Sequence, residues 1–163
     1  MKIYLDNAVV SAIGRDDTPV ESSSILKLLK LHDAGHVELW TSEVAGREIE
    51  KYKSDQKRFV ETVYLLLKKV QYVEKQKLLG MNVYIDQYTC INSPLIEDDP
   101  IWSRLRRIGL DETDAHHLML AIKAECAVFL TIDKDFMGRK LQIETEFKIR
   151  VLRPSELIDE LAQ

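Results

Sequence analysis

The chain has 163 residues, enough for one domain and too few for two ordinary ones, so we expect residues 1–163 to fold as a single domain. A hydrophobic content of 45% and a charged content of 31% exclude a disordered chain, and a net charge of −4 excludes a general attraction to nucleic acid or membranes. No apolar run is long enough to span a bilayer, the N-terminus has no signal-peptide pattern, and the two cysteines form no C-x-x-C pair. We therefore expect a cytoplasmic protein without membrane contacts.

The first forty residues combine two strand patterns with one helical pattern. Residues 2–5 form a run typical of a β-strand, and this run ends at Asp6. Residues 25–29 carry the apolar positions of a helix that ends near Gly35. Residues 37–40 then predict a second short strand.

Helical patterns dominate the middle of the chain. Ser42 is placed to cap a helix that runs to about Tyr52. Apolar residues at heptad-like spacing predict a long amphipathic helix over about residues 57–79, ended by Gly80. The following segment, residues 81–101, has no clear pattern.

The last third of the chain returns to an alternation of helices and strands. A short basic helix is predicted before Asp111, which is a good N-cap for a helix over residues 112–124. Residues 127–132 are apolar without alternation, as expected of a strand that is buried on both faces. Residues 149–152 predict a fourth strand, and Ser155 is placed to cap a last helix.

This alternation predicts an α/β fold, with a central, mostly parallel sheet covered by helices on both faces. In folds of this class, ligands bind at the carboxyl ends of the strands. Asp6 follows the first strand, and Asp133 follows the strand over residues 127–132. Both carboxylates are therefore expected at the ligand-binding edge of the sheet.

Two further carboxylates lie on the apolar faces of predicted helices. Glu48 is about 40° from Val44 around its helix, inside the inward stripe. Asp114 begins an apolar face that continues through Leu118 and Ala121. An inward carboxylate is unfavourable unless it is paired, hydrogen-bonded or bound to a metal ion. The simpler interpretations are a first-turn acid stabilised by the helix dipole for Asp114, and a buried salt bridge for Glu48.

Taken together, the four carboxylates favour a metal site. Asp6 and Asp133 are at strand ends, and Glu48 and Asp114 are near the starts of helices that leave the same edge. Oxygen-ligated Mg²⁺ or Mn²⁺ would relieve the repulsion within such a group. Hard cations held by carboxylates are typical of enzymes that transfer phosphoryl groups or hydrolyse phosphodiesters.

Two adjacent histidines accompany Asp114 on its helix. His116 and His117 point about 100° apart and cannot bind the same ion. We interpret His117 as the donor or acceptor of a structural hydrogen bond. His116 and Lys123 are expected on the exposed side of the helix.

Four segments follow one another in a set order along the chain. They are Ile3-Tyr4-Leu5-Asp6-Asn7 with Ser11, Thr41-Ser42 with Glu48, Asp114-Ala115-His116-His117, and Leu130-Thr131-Ile132-Asp133-Lys134-Asp135-Phe136. In residue type, order and spacing, these segments resemble the four motifs of the PIN domain family. That family consists of metal-dependent nucleases and includes the VapC-type toxins of toxin–antitoxin pairs. The resemblance extends from residue 1 to about residue 153.

The resemblance implies a PIN-like α/β/α fold and a ribonuclease that uses Mg²⁺ or Mn²⁺. It implies that the acidic metal ligands are Asp6, Glu48, Asp114 and Asp133. The polar residues that would support these ligands are Asn7, Ser11, Thr131 and Asp135. Asn7 stands where the family commonly has threonine or serine, and Asp111 and Asp135 are near enough in sequence to compete for the assigned roles. A homodimer and an antitoxin protein are the partners that the family implies.

A nuclease with an acidic centre needs cations nearby to hold the phosphate backbone. The candidates are Arg104, Arg106, Arg107 and Lys134, and for each of them a solvated helix face is an equally good interpretation. Trp102 is the one aromatic residue placed to stack on a base.

We therefore predict hydrolysis of RNA phosphodiester bonds by metal-activated water. The alternative from another class is a catalytically silent PIN-like module that binds RNA or protein. A phosphatase of the haloacid-dehalogenase type needs a second aspartate where this chain has Ala8, and a receiver domain needs an acidic pair where it has Asp6-Asn7. The choice between RNA and DNA, and between one and two ions, stays open.

Overall fold

The computed structural model describes residues 1–13, 17–42, 45, 61, 71–72 and 99–162. In this part of the chain the strands are β1 (Lys2–Leu5), β2 (Glu38–Thr41), β3 (Gln71–Tyr72), β4 (Val128–Leu130) and β5 (Arg150–Leu152). The helices are α1 (Asn7–Ala12), α2 (Pro19–Asp33), α3 (Pro100–Ile108), α4 (Glu112–Lys123), α5 (Lys134–Gly138), α6 (Lys140–Phe147) and α7 (Pro154–Leu161). The predicted helix after Ser42, including Glu48, and the predictions for residues 81–98 lie outside the described residues.

The described strands form one sheet in the order β3-β2-β1-β4-β5, and every neighbouring pair is parallel. The first strand is central, with Tyr4 opposite Trp40 on one side and Phe129 on the other. Because all strands run the same way, their carboxyl ends meet at one edge. The predicted parallel sheet is confirmed.

Side chains of the central strand alternate between two cores, as the pleat of a β-strand requires. Ile3 and Leu5 pack with α1, α2 and α7 on one face of the sheet. Tyr4 packs with α3, α4, α5 and α6 on the other face, where its ring stacks on Phe129 with centroids 5.5 Å apart. The predicted three-layer α/β/α arrangement is thereby confirmed.

The prediction of one helix over residues 57–79 is wrong at Gln71–Tyr72, which form the edge strand β3. This strand pairs with Trp40–Thr41 of β2. The local sequence Val-Gln-Tyr-Val is rich in β-branched and aromatic residues, which favour strands. Apolar spacing alone did not reveal where the helical pattern gives way to a strand.

The prediction that Ser155 caps the last helix is wrong, because α7 begins at Pro154 and Ser155 lies in its first turn. Both the backbone N–H and the hydroxyl of Ser155 donate to the carboxylate of Glu21, at 3.0 and 2.7 Å. Glu21 belongs to α2, so the start of α7 is held by a residue far away in sequence. The local sequence around Ser155 does not indicate that Glu21 is its partner.

A buried ion pair joins the start of α3 to the end of α4. Asp99 is 2% exposed and accepts a hydrogen bond from the Ile101 N–H at 2.8 Å, which caps α3. Its other oxygen is 2.6 Å from Lys123 Nζ, so Lys123 does not mark a solvent-facing side as predicted.

Gly109 ends α3 with a φ of 87°, a conformation that glycine adopts without strain. The chain then turns directly to Asp111.

None of the helices in the described ranges is long and apolar enough to cross a membrane.

We expect Lys123→Met to lower the free energy of unfolding by about 3 kcal/mol, because it leaves the buried Asp99 carboxylate without its counter-charge. Urea unfolding followed by circular dichroism measures the change. Lys30→Met, at an exposed position of α2, is the matched control and should alter the value by less than about 0.5 kcal/mol. Equal effects of the two substitutions would contradict the role given to the Asp99–Lys123 pair.

Candidate functional site

Asp6 joins the central strand to the first helix. It follows β1 directly and caps α1, accepting a hydrogen bond from the Asn7 N–H on Oδ1 at 2.7 Å. Its second oxygen, Oδ2, accepts from the Thr131 hydroxyl at 2.8 Å. The side chain is 5% exposed, so these hydrogen bonds are what make a buried carboxylate acceptable here.

Thr131 links two acidic residues through one hydroxyl. It follows β4, is fully buried, and donates to Asp6 while accepting from the Asp133 N–H at 3.0 Å. Asp133 in turn caps α5, with its Oδ1 accepting from the Asp135 N–H at 2.7 Å. The ends of β1 and β4 therefore hold Asp6 and Asp133 in a fixed relation.

Asp114 lies in the first turn of α4, where its N–H donates to the N-cap residue Asp111 at 2.8 Å. The pKa of Asp114 is raised from 3.8 to about 7, mainly by burial and then by the charges of Asp111, Asp6 and Asp133, while His117 acts in the opposite direction. Burial is the largest cause of the raised pKa, and the negative charges of Asp6 and Asp133 add to it.

Of the four predicted acidic residues, Asp6 and Asp133 are linked through Thr131 at the ends of β1 and β4, and their charges act on Asp114. Glu48 lies outside the described residues. Asp111 was predicted as a helix cap and named as a competitor, and it contributes the largest neighbouring charge on Asp114. The short helices α1 and α5 had not been predicted. Their N-termini explain why carboxylates are tolerated here, since helix dipoles and free N–H groups stabilise negative charge.

The donor set fits a hard divalent cation in its chemistry, because it consists of carboxylate oxygens that repel one another. Within the described ranges, no three histidine, cysteine, aspartate or glutamate side chains are close enough together to hold a metal ion. Glu48, the fourth predicted ligand, lies outside these ranges.

The other predicted supporting residues differ in their contacts. Asn7 donates its backbone N–H to Asp6, and its side-chain oxygen is buried and has no hydrogen-bond partner among the described residues. Ser11 donates its hydroxyl to the Ala8 carbonyl at 3.1 Å, inside its own helix. The Asp135 carboxylate is 76% exposed and lies 3.5 Å from Arg139 Nη1. Its backbone N–H donates to the capping carboxylate of Asp133, so its contribution there is made by the main chain.

Two of the predicted RNA-binding arginines have protein partners. Arg104 Nε is 2.6 Å from a carboxylate oxygen of Glu146, and its guanidinium lies over the ring of Phe147 at 4.7 Å. Arg106 donates to the Leu110 carbonyl at 2.6 Å. These contacts fasten α3 to the rest of the layer.

Arg106, Arg107 and Lys134 are the exposed members of the predicted basic set that make no ion pair within the described ranges. Arg107 makes one long hydrogen bond of 3.4 Å to the Ser103 carbonyl of its own helix. Trp102 is 5% exposed and belongs to the core, so the prediction of a base-stacking surface there is wrong. A helix that buries one face also carries an aromatic residue next to arginines, and α3 is such a helix.

The two histidines of α4 are both buried, at 1% exposure each. The prediction that His116 marks an exposed side is therefore wrong, because α4 is enclosed by neighbouring elements around more of its circumference than its apolar stripe indicated. The prediction for His117 is confirmed: its Nδ1 is 2.9 Å from the Tyr4 hydroxyl oxygen.

Comparison with solved structures shows the fold class independently. A chain in the crystal structure of VapBC2 from Rickettsia felis, bound to a DNA fragment from its promoter, superposes with a TM-score of 0.55 at 14% sequence identity. The match covers 94% of this chain and 98% of that chain. No family model matches the sequence, and no curated protein matches it. The likeness supports a PIN-like α/β fold, and at this identity it concerns the fold alone.

We expect Thr131→Val to lower the free energy of unfolding by about 2 kcal/mol, because it leaves the buried Asp6 Oδ2 and the Asp133 N–H without the hydroxyl. The side chains have nearly the same shape, so packing is preserved. Thr145→Val removes an exposed hydroxyl that bonds only within its own helix, and it should change the value by less than about 0.5 kcal/mol. Chemical unfolding of both variants measures these changes. If Thr131→Val has the same free energy of unfolding as wild type, the hydrogen bonds of the Thr131 hydroxyl do not stabilise the fold.

The raised pKa of Asp114 predicts how stability changes with pH in EDTA. The folded chain binds this proton more tightly than the unfolded chain, so the stabilisation is complete below pH 3.8 and is lost as pH rises through 7. Asparagine cannot ionise, so Asp114→Asn should melt higher than wild type at about pH 8, with a smaller difference at about pH 5.

Thermal melts at the two pH values measure this effect, and Asp159→Asn, on the exposed side of α7, is the matched control. A difference between Asp114→Asn and wild type that does not grow with pH would show that Asp114 ionises normally.

Proposed function

We propose that this protein is a PIN-type endoribonuclease that depends on Mg²⁺ or Mn²⁺. The observation that carries the proposal is the cluster at the sheet edge, where the charges of Asp6 and Asp133 help to raise the pKa of Asp114. Repelling, partly buried carboxylates are typical of sites that bind a cation or handle protons. The fold shared with the VapBC2 structure supports the same assignment.

In this proposal Asp6, Asp114 and Asp133, together with Glu48, hold the ion. When bound, the ion supplies Lewis acidity toward a phosphate and activates water for attack. Thr131 keeps Asp6 and Asp133 at a fixed separation. Asp114, with a pKa of about 7 in the metal-free protein, gives up its proton near neutral pH when a cation binds.

The phosphate backbone of the substrate needs positive charge beside this acidic edge. Lys134 follows Asp133 directly and is exposed, so it is the best placed cation for this purpose. Arg107 is exposed on α3 and is the second candidate. Arg104 is a weaker candidate than its sequence position indicated, since Glu146 already offsets its charge.

The structural neighbour also supports a proposal about partners. VapBC2 is a complex of more than one kind of chain and was crystallised with promoter DNA. We extend this to the present chain as a toxin that a separate antitoxin protein holds inactive, and that forms a homodimer.

A second function, a silent module that binds RNA or protein without cleaving it, is favoured by two observations. Asp6 and Asp133 already cap helices, so each has a structural role without any metal. Within the described ranges, no group of three potential ligands is close enough for coordination. Only the first function predicts metal-dependent cleavage of RNA.

The deciding experiment is cleavage of end-labelled single-stranded RNA by the purified protein with Mn²⁺ or Mg²⁺. We expect activity that EDTA abolishes and that Asp114→Asn lowers by about 100-fold or more, because several kcal/mol of transition-state stabilisation would be lost with the ion. Asp159→Asn should cleave like wild type.

The other outcomes are equally informative. Equal cleavage by Asp114→Asn and wild type would assign the activity to a contaminant or to another site. Binding of RNA without cleavage, and without Mn²⁺ binding measured by calorimetry, would establish the silent module. Cleavage of a single-stranded DNA of the same sequence at the same rate would show that the substrate is single-stranded nucleic acid in general and not RNA alone.

A further inference from the structure

A short network of hydrogen bonds among Tyr4, Ser42 and His117 lies in the buried layer between the sheet and α4. The Tyr4 hydroxyl donates to Ser42 Oγ at 2.7 Å, and the same hydroxyl oxygen is 2.9 Å from His117 Nδ1. All three side chains are at most 1% exposed. They cannot touch a substrate, so their role must be exerted through the elements that they join.

Each member of this network is close in sequence to a proposed ligand. Tyr4 is two residues before Asp6 and therefore lies on the same face of β1. His117 is three residues after Asp114, on the same side of α4. Ser42 follows β2 and precedes Glu48 by six residues.

The hydrogen-bond donors in this network determine which nitrogen of His117 carries a proton. The single hydroxyl proton of Tyr4 is donated to Ser42, so the contact with His117 requires an N–H on Nδ1. The Tyr4 ring is held on both sides, stacked on Phe129 and edge-on to His117 with centroids 6.0 Å apart. The hydroxyl therefore has one well-defined position.

Core packing alone does not require these polar groups. The layer around Tyr4 is built of residues such as Phe129, Leu118 and Met119, in which phenylalanine would pack equally well. Burying a hydroxyl and an imidazole in such a layer is unfavourable unless they bond to each other. A fully bonded polar contact in an apolar layer fixes one arrangement of its elements.

We infer that the Tyr4 hydroxyl is a positioning group, which sets α4 and Ser42, at the end of β2, against β1 so that Asp114 is held at the correct distance from Asp6. This inference rests on the proposed metal site. It makes Tyr4, His117 and Ser42 positioning residues that contact neither the ion nor the substrate.

The first test is Mn²⁺ binding by the full chain, measured by calorimetry at a temperature where every variant is folded. Tyr4→Phe should raise the dissociation constant about tenfold, as removal of outer hydrogen bonds does at other metal sites. His117→Asn places an N–H near the position of Nδ1 and should bind nearly as wild type, whereas His117→Leu, of similar size, should match Tyr4→Phe. Ser24→Ala, which removes a buried hydroxyl bonded within α2, should not change the affinity.

The second test needs no metal and therefore separates this inference from the proposed function. Backbone hydrogen exchange in EDTA should be faster in Tyr4→Phe than in wild type over the first turns of α4, with α2 unchanged. If wild type binds no Mn²⁺, the proposed function fails, and the exchange result still decides whether the hydroxyl positions α4. Unchanged exchange in Tyr4→Phe, or weak binding by His117→Asn equal to that of His117→Leu, would overturn the inference.

Discussion

The candidate site depends on the register between two parallel strands, β1 and β4. Leu5 lies opposite Leu130, and the backbone pairing continues one step further through a 3.0 Å bond from the Asp6 N–H to the Leu130 carbonyl. This pairing brings the Asp6 carboxylate beside Thr131, whose hydroxyl bonds to it. A shift of one residue would turn Asp6 to the opposite face of the sheet. The hydrophobic pattern that sets the register therefore also sets the chemistry.

Much of the fold was predictable because strand signals and helix caps are local. The strands that precede Asp6 and Asp133 were found from short apolar runs, and Asp111 was identified as a cap from its position before a helical pattern. The helices α1 and α5 were missed because they are six and five residues long, too short to show a helical period. As a result, the sequence indicated where the carboxylates would lie but not that helix termini stabilise them.

The remaining features arise from contacts between residues far apart in sequence. The pairing of Arg104 with Glu146 spans 42 residues, and the contact of Tyr4 with His117 spans 113. No local pattern encodes such distances, so the sequence left open whether the basic helix is a nucleic-acid surface or a solvated face, and His116 was predicted to be exposed. Residue type identified the participants in each case, and only the tertiary structure identified their partners.

The two candidate functions differ in what they require of Asp114. Its N–H, not its side chain, bonds to the cap residue Asp111, so helix formation does not need a carboxylate at this position. Asparagine has nearly the same shape and would avoid the burial and the neighbouring charges that raise the pKa of Asp114 to about 7. A protein that only binds a partner gains no stability from this charge. A cation-binding enzyme gains from it, because the repulsion present in the metal-free protein becomes attraction when the ion binds. The unfavourable carboxylate at Asp114 is therefore the feature that favours the enzyme over the silent module.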